Sequence, residues 1–542
     1  MQARYSFSAT ADLPNSTHFY LQRGGSALCA GSTYSSRSML WPEVFASMYD
    51  WPNQPWIVEI NTWTWLCGLT LRYGRKMRLD CVPGFVWDEL AATHADGVWL
   101  MGVWRRSAAG QQISFGDPNV LAEGRRLFSD FSPQDVSGSP YSIADYCVDS
   151  ELGGADGLAE ARRQLAARGL RMMLDFVPNH VAPDHPWTSK HPEYFVQGER
   201  DEHQQNPKGF FSAGKNVIAH GRDPYFPPWP DTAQLNAFDS GLRLAALDTL
   251  KGIAGQCDGV RCDLAMLLIN RVFAHTWEGR VCPPPLTEYW QYVIPRIRQL
   301  HPGFLFVAEA YWDLEWELMQ QGFDYCYDKR LYDRLVGGAP QAIREHVSAP
   351  MDYQRHLIRF LENHDEPRAA AVFSVQQNRV AAVALMTLPG AKLLQDGQLS
   401  GSKIKLSAHL GRCPQESPDH QLRNFYQKLL DIARSFKLEN GEWQLCQLEG
   451  WSDNQSCQNL MGWCWKVRGA KYLQVVNFSP HRAQAWVKLP WNDLASPDWE
   501  VSDPLVNVEY GRRRGVELAG SGLYVDLDAH SFHFLRFIPI GT

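Results

Sequence analysis

Eight short apolar runs, each bounded by turn-forming residues, recur between residues 57 and 397: IVEINTWTWL (57–66), GVWLMGVW (97–104), RMMLDFV (171–177), GVRCDLA (259–265), FLFVAEA (304–310), FDYCYD (323–328), HLIRFLEN (356–363) and AKLLQDG (391–397). Runs this short and this apolar read as strands buried on both faces. Helix-like stretches lie between most of them. In 156–170, for example, Leu158, Ala161, Leu165 and Leu170 fall on one stripe. Buried strands alternating with helices, eight times over, predict a (β/α)8 barrel, whose working face is the rim at the carboxyl ends of the strands.

Two segments interrupt the alternation. Residues 105–150 form a long loop between the second and third strands. Residues 181–236, rich in Pro, His and aromatics, are too long for a simple connection and predict a subdomain inserted after strand 3. Beyond about residue 440 the helical pattern gives way to short alternating runs such as KYLQVVNFS (471–479), which predict a C-terminal antiparallel β-sandwich over 441–542. The barrel then occupies 51–440, and residues 1–50 stay unassigned.

Composition narrows the partners. A formal charge of −7 over 542 residues argues against nucleic acid and anionic membranes, both of which call for basic surface. No apolar run approaches the length that spans a bilayer, the amino terminus lacks the apolar core of a secretory signal, and the twelve cysteines form no CxxC pair. A cytoplasmic protein with reduced thiols is expected. The 21 tryptophans suit either a large core or surfaces that stack on sugar rings.

The predicted strand ends are polar where a barrel core should be apolar. Strand 3 runs into Asp175, Asn179 and His180, strand 4 into Arg261 and Asp263, strand 5 into Glu309, and strand 7 into Asn363, His364 and Asp365. One such residue would be read as a structural ion pair. Four strand ends carrying charge at one mouth point to chemistry. Glycoside cleavage needs a carboxylic acid to protonate the leaving oxygen and a carboxylate to meet the oxocarbenium-like carbon, with different protonation at one pH. Arg261, two residues before Asp263 on an extended strand, is expected to keep Asp263 ionised, whereas Glu309 has no such neighbour in sequence and suits the acid.

The segments DFVPNH (175–180), GVRCDLAM (259–266), VAEAYW (307–312) and FLENHDEPR (360–368) resemble, in order, the four motifs of the α-amylase family, glycoside hydrolase family 13. WPDTAQLN (229–236) resembles the short additional motif near the end of that family's inserted subdomain. The resemblance implies Asp263 as nucleophile, Glu309 as general acid/base and Asp365 as the carboxylate that grips the sugar. It implies substrate contacts for His180, His364 and Arg261, and a supporting role for Asp175. Tyr141, in GSPYSIADY, resembles the tyrosine beneath the reacting sugar, with a core aromatic as the alternative. Arg368 resembles an arginine of some members, with a plain salt bridge as the alternative.

Met266 and Leu267 stand where calcium-dependent members carry Lys-His, so neither calcium at the usual site nor any other cofactor is expected. The implied function is a retaining α-glycosidase on α-linked glucans or maltooligosaccharides, most simply α-1,4. The alternatives are an α-glucan transglycosylase using the same site and, from a different class, an inactive carbohydrate-binding scaffold. Two long loops on one rim, with aromatics such as Trp187, Tyr194, Phe195, Phe211, Tyr225 and Trp229, predict a narrowed mouth and a preference for short chains.

Overall fold

All eight apolar runs become strands: β1 (Trp56–Asn61), β2 (Gly97–Met101), β3 (Arg171–Phe176), β4 (Gly259–Cys262), β5 (Leu305–Ala308), β6 (Tyr325–Tyr327), β7 (Leu357–Arg359) and β8 (Ala391–Gln395). The computed structural model describes residues 51–540; the unassigned segment 1–50 lies outside them. The strands close into one parallel barrel in which each pairs with its neighbours in sequence and β1 pairs with β8. Inside such a barrel, covered by helices, no strand face is wet, which is why β2, β4 and β5 are buried at every position. The helix Gly154–Ala166 turns Leu158, Ala161 and Leu165 inward, on the stripe that the spacing predicts.

The first run was expected to stay extended to Leu66. Instead the strand stops at Asn61, whose side chain caps the helix Thr62–Tyr73 by accepting from the Thr64 N–H at 3.5 Å. The loop 105–150 is largely folded. Ser107 caps the helix Ala108–Gly116, and Asp117 with Pro118 starts a second, Pro118–Leu127. The strand Ile143–Val148 then pairs back onto Trp104–Arg106.

Residues 181–236 carry two small antiparallel pairs, His180–Val181 with Ala233–Gln234 and Phe210–Ala213 with Asn216–Ala219. Their core is Val181, Phe195, Ile218, Ala233, Leu235 and Leu242, with Trp187, Tyr194 and Phe211 packed against it. These aromatics therefore hold the insertion together and do not line the mouth, because a segment this short has few other residues to bury. Others differ: Trp229 packs against the main core, Phe226 is 37% exposed, and Tyr225 is 66% exposed and meets Trp312 edge-on at 4.9 Å.

The C-terminal strands are β9 (Glu442–Leu445), β10 (Gln447–Glu449), β11 (Leu460–Val467), β12 (Ala470–Asn477), β13 (Ala483–Lys488), β14 (Asp498–Asp503), β15 (Val508–Arg513), β16 (Leu523–Leu527) and β17 (Phe532–Ile540). They form a six-stranded sheet, β9-β11-β12-β17-β14-β15, and a three-stranded one, β10-β13-β16. Leu473 and Val475 of the first share a core with Val487 and Val525 of the second. The Trp465 indole donates to the Thr387 carbonyl at 2.7 Å, and Phe436 stacks on Tyr472 at 3.9 Å, which fixes this unit to the barrel helices. No helix among the described residues is long and apolar enough to cross a membrane, and every described cysteine is a free thiol.

Candidate active site at the barrel mouth

The strand ends bring Asp175, Arg261, Asp263, Glu309, His364 and Asp365 together. Parallel pairing sets Arg261 of β4 beside Asp175 of β3 and Val307 of β5, so its guanidinium sits between the ends of three strands. It donates to Asp263 Oδ1 at 2.5 Å and lies 2.8 Å from Glu309 Oε2. The expectation of an acid without a cationic neighbour is therefore corrected: Arg261 serves both carboxyls, because adjacent strands place Glu309 within reach of the same side chain.

Local backbone geometry completes this arrangement. Leu264, directly after Asp263, adopts φ 43°, a left-handed conformation that a branched residue rarely takes. Its N–H thereby reaches Glu309 Oε2 at 2.6 Å. Trp312 and Asp313, just past Glu309, are also left-handed, at φ 64° and 60°. Such conformations persist only where the surroundings impose them, and here they cluster around two carboxyls. The Tyr311 hydroxyl donates to Glu309 Oε1 at 2.8 Å.

Burial raises the Glu309 carboxyl, and Arg261 lowers it less than burial and the Asp263 and Asp365 charges raise it, leaving it at about 7. Burial also pushes Asp263 up, opposed by its bond to Arg261. Asp365 behaves differently. Burial opposes its charge, but His364, with help from Arg261 and Lys405, holds it well below the ordinary carboxylate range. Lys405, on the chain after β8, donates to the Asp365 carbonyl.

His364 joins the two sides of the mouth. Its Nε2 lies 3.0 Å from Asp365 Oδ2 and 2.8 Å from the Tyr141 hydroxyl, and its Nδ1 meets Glu59 Oε1 at 2.5 Å. Burial disfavours its charge, yet Asp365 and Glu59 outweigh that and lift it to about 10. Tyr141 is buried, with the Arg261 guanidinium 5.1 Å from its ring centre. Asp175 accepts from the Trp99 indole at 3.1 Å and from the Gly102 N–H at 2.8 Å. Burial lifts Asp175 to about 6.

His180 stands to one side, 5.5 Å from the Trp229 ring, and burial lowers it to about 4. Arg368 is not joined to the three carboxylates. It donates to Glu362 at 2.6 Å, to the Gln395 side chain at 2.5 Å and to the Asp396 carbonyl at 2.7 Å. Its place is that of a salt-bridge partner. The donors expected of a calcium site are also taken or apolar: Asn179 Oδ1 accepts from Gln234 at 3.0 Å, and Met266 and Leu267 are buried.

Sequence reasoning missed Glu59, wholly buried on β1, along with Trp99, Tyr311 and Lys405. Glu59 had a signal, since it is an ionisable residue inside the apolar run WIVEIN. Tyr311 and Lys405 reach the site from loops and Trp99 from β2, through contacts that spacing does not encode.

The profile of the α-amylase catalytic domain matches residues 127–229. An α-amylase, MalA, of Haloarcula japonica is 25% identical over 272 residues, 48% of this chain and 36% of that protein. An α-1,4-glucan:maltose-1-phosphate maltosyltransferase of Picrophilus torridus is 20% identical over 405 residues, 70% of this chain and 58% of that protein. The chain thus spans roughly two to three fifths of these relatives' lengths. A maltogenic α-amylase structure, AmyB of Thermotoga neapolitana, superimposes with a TM-score of 0.63 at 18% identity, covering 90% of this chain and 99% of that one, which shows a shared fold. With four motifs in order on β3, β4, β5 and β7 and a catalytic-domain profile matched over residues 127–229, the chain is similar to the α-amylase family in both sequence and fold.

Proposed function

We propose that this protein is a retaining α-glycosidase on α-1,4-linked glucans or maltooligosaccharides, with Asp263 as nucleophile and Glu309 as general acid/base. One observation carries the reading. Asp263 Oδ2 and Asp365 Oδ1 are buried and have no hydrogen-bond partner, although cations and donors surround them. A buried carboxylate oxygen is costly to leave unpaired, so these two are reserved for a substrate.

The chemistry follows from the geometry. Glu309, protonated below about 7, gives its proton to the glycosidic oxygen as the bond to the anomeric carbon breaks. Asp263 Oδ2 bonds to that carbon, while Arg261 holds the other oxygen. Glu309, now a carboxylate, takes a proton from an incoming water, whose oxygen displaces Asp263 and restores both groups. Asp365, kept ionised by His364, accepts hydrogen bonds from sugar hydroxyls. Proton NMR of the first product tests the scheme: the α-anomer should appear before mutarotation, and initial β-anomer defeats it.

A second reading has its own support, the 405-residue alignment with a maltosyltransferase. The same glycosyl-enzyme passes its sugar to another acceptor in place of water. Maltotriose with and without inorganic phosphate separates the two. Longer oligosaccharides or a sugar 1-phosphate mark transfer, and glucose and maltose alone mark hydrolysis. In either case no calcium requirement is expected, and exhaustive chelation should leave both activity and melting temperature unchanged.

A further inference from the structure

Exposed aromatics are ordinary when scattered, but two of them gather with a half-buried third, Trp451, at the outer face of the small C-terminal sheet. Trp486 of β13 and Tyr524 of β16 are directly paired across the strands, with ring centres 5.4 Å apart, and are 38% and 44% exposed. Trp451, from the turn after β10, closes on the other side of Tyr524 at 6.3 Å. A cross-strand pair by itself would be a stabilising device of the sheet. Three further observations go beyond that.

The rings are held by a polar frame. Asn454, in the Trp451 turn, donates to Gln484 Oε1 at 2.7 Å. Gln484 in turn donates to the Tyr524 hydroxyl at 2.8 Å and to Asp526 Oδ2 at 2.9 Å. Side-chain amides, a carboxylate and a phenol around ring faces provide donors and acceptors at the edge of an apolar shelf. The shelf also opens into a cavity of about 360 Å³ that Trp486 and Tyr524 share with Tyr510, Arg513, Glu517 and His533, a size typical of small-molecule sites. Finally, the surrounding charges cancel locally: Arg482 pairs with Asp526, Lys488 with Glu449 and Arg514 with Glu517. A shelf of rings whose flanking charges are largely paired, with Arg513 left to donate to backbone carbonyls, matches a neutral polyol with apolar C–H faces better than an acidic or basic macromolecule.

We propose that this shelf and its cavity form a second, non-catalytic binding site for a segment of α-glucan chain. The choice of α-glucan rests on the proposed function; the choice of a neutral saccharide rests on the shelf alone. No residue of the shelf belongs to the set around the three carboxylates, so binding here would tether a polymer without occupying the mouth.

The test uses the full chain carrying Asp263→Asn, so that glucan is not consumed. Migration in native gels containing amylopectin should be retarded, and Trp486→Ala with Tyr524→Ala added should weaken that retardation about tenfold. The same pair placed in the wild-type protein should leave turnover of maltotriose unchanged. Hydrogen–deuterium exchange gives a readout independent of any change to the shelf: maltoheptaose should protect residues 483–488 and 523–527. Protection confined to the barrel rim, or undiminished retardation in the double variant, overturns the proposal. Retardation by xylan or cellulose in place of amylopectin overturns the α-glucan assignment. Concentration-dependent self-association that the double variant abolishes, without saccharide binding, makes the shelf a contact between copies and also overturns it. Loss of the α-glycosidase reading would appear instead as unchanged wild-type activity in Asp263→Asn, a result these binding measurements do not depend on.

Discussion

Two buried charge clusters sit on neighbouring strands of this barrel, and their hydrogen bonds differ. Around Asp328, just past β6, the carboxylate is fully engaged. Oδ1 accepts from the Leu331 N–H at 3.0 Å and meets His346 at 2.7 Å, and Oδ2 accepts from Arg359 at 3.0 Å. Arg359 in turn donates to the Pro389 carbonyl at 2.5 Å and to Gln354. Burial works against Asp328, but its cationic neighbours outweigh it and lower the carboxyl to about 2. At the mouth, one oxygen each of Glu59, Asp263 and Asp365 and the Nε of Arg261 have no partner. The lesson is that burial and charge do not distinguish a structural cluster from a reactive one. Saturation of hydrogen bonds separates these two clusters, because a buried carboxylate oxygen left unpaired is costly.

The largest test sets one cluster against the other. Asp263→Asn should lower turnover by about three orders of magnitude or more, with the melting temperature nearly unchanged. Asp328→Asn should do the reverse: it leaves a buried guanidinium short of its counter-charge, costs about 3–5 kcal/mol of stability, and spares the turnover of the folded fraction. If Asp328→Asn abolishes turnover in a stably folded protein, the distinction between the clusters fails.

Within the mouth, Glu309→Gln should cost about 10²–10⁴-fold on maltooligosaccharides. The loss should be far smaller on α-glucosyl fluoride, whose leaving group needs little protonation. Equal losses on both substrates would remove Glu309 as the acid. In the wild type, kcat/KM should fall as pH rises through about 7, where Glu309 loses the proton it must donate.

Much of this was legible in the sequence. The eight strands were, because residues buried on both faces leave an uninterrupted apolar signature, and so was the convergence of Asp263, Glu309 and Asp365 on one mouth, because a carboxylate beside such a run is conspicuous. What spacing does not convey is which side chains meet across strands. The second partner of Arg261 depends on the register of β4 against β5. The engagement of Arg368 by Glu362 is equally invisible along the chain, as is the division of the insertion's aromatics between its own core and the rim. Asp328 in FDYCYD looks in sequence like one more reactive carboxylate.

Smaller effects sharpen the comparison. Glu59→Gln removes one of the two charges that hold His364 protonated, so His364 should titrate below its present value of about 10. Turnover should drop about tenfold at neutral pH, and further as pH rises. A uniform loss at every pH would leave Glu59 a packing role only. The stability that His364 lends is complete below its ordinary value of 6.5 and fades as pH rises towards about 10.

The smallest signal comes from acid. Asp328, lowered from 3.8 to about 2, contributes stability that is present above 3.8 and drains away as pH falls through 2. Urea midpoints measured across that window should decline less steeply in Asp328→Asn than in the wild type. Parallel slopes would show that the saturated cluster is not the acid-sensitive element.

The shared guanidinium of Arg261 has a consequence for timing. On the proposed mechanism, Arg261 at first balances the charge of Asp263 beside a protonated Glu309; esterification erases that charge, and Asp263 ceases to hold the Glu309 proton in place by repulsion. From that moment Arg261 acts on Glu309 alone and favours its ionised form. The group that began the cycle as an acid is converted to the base the second half requires, with no side chain having to move. When water releases the sugar, the charge returns to Asp263 and Glu309 can again keep a proton. One immobile cation thus acts as the escapement of a two-stroke cycle, and replacing Arg261 with a neutral residue would leave the two strokes out of phase.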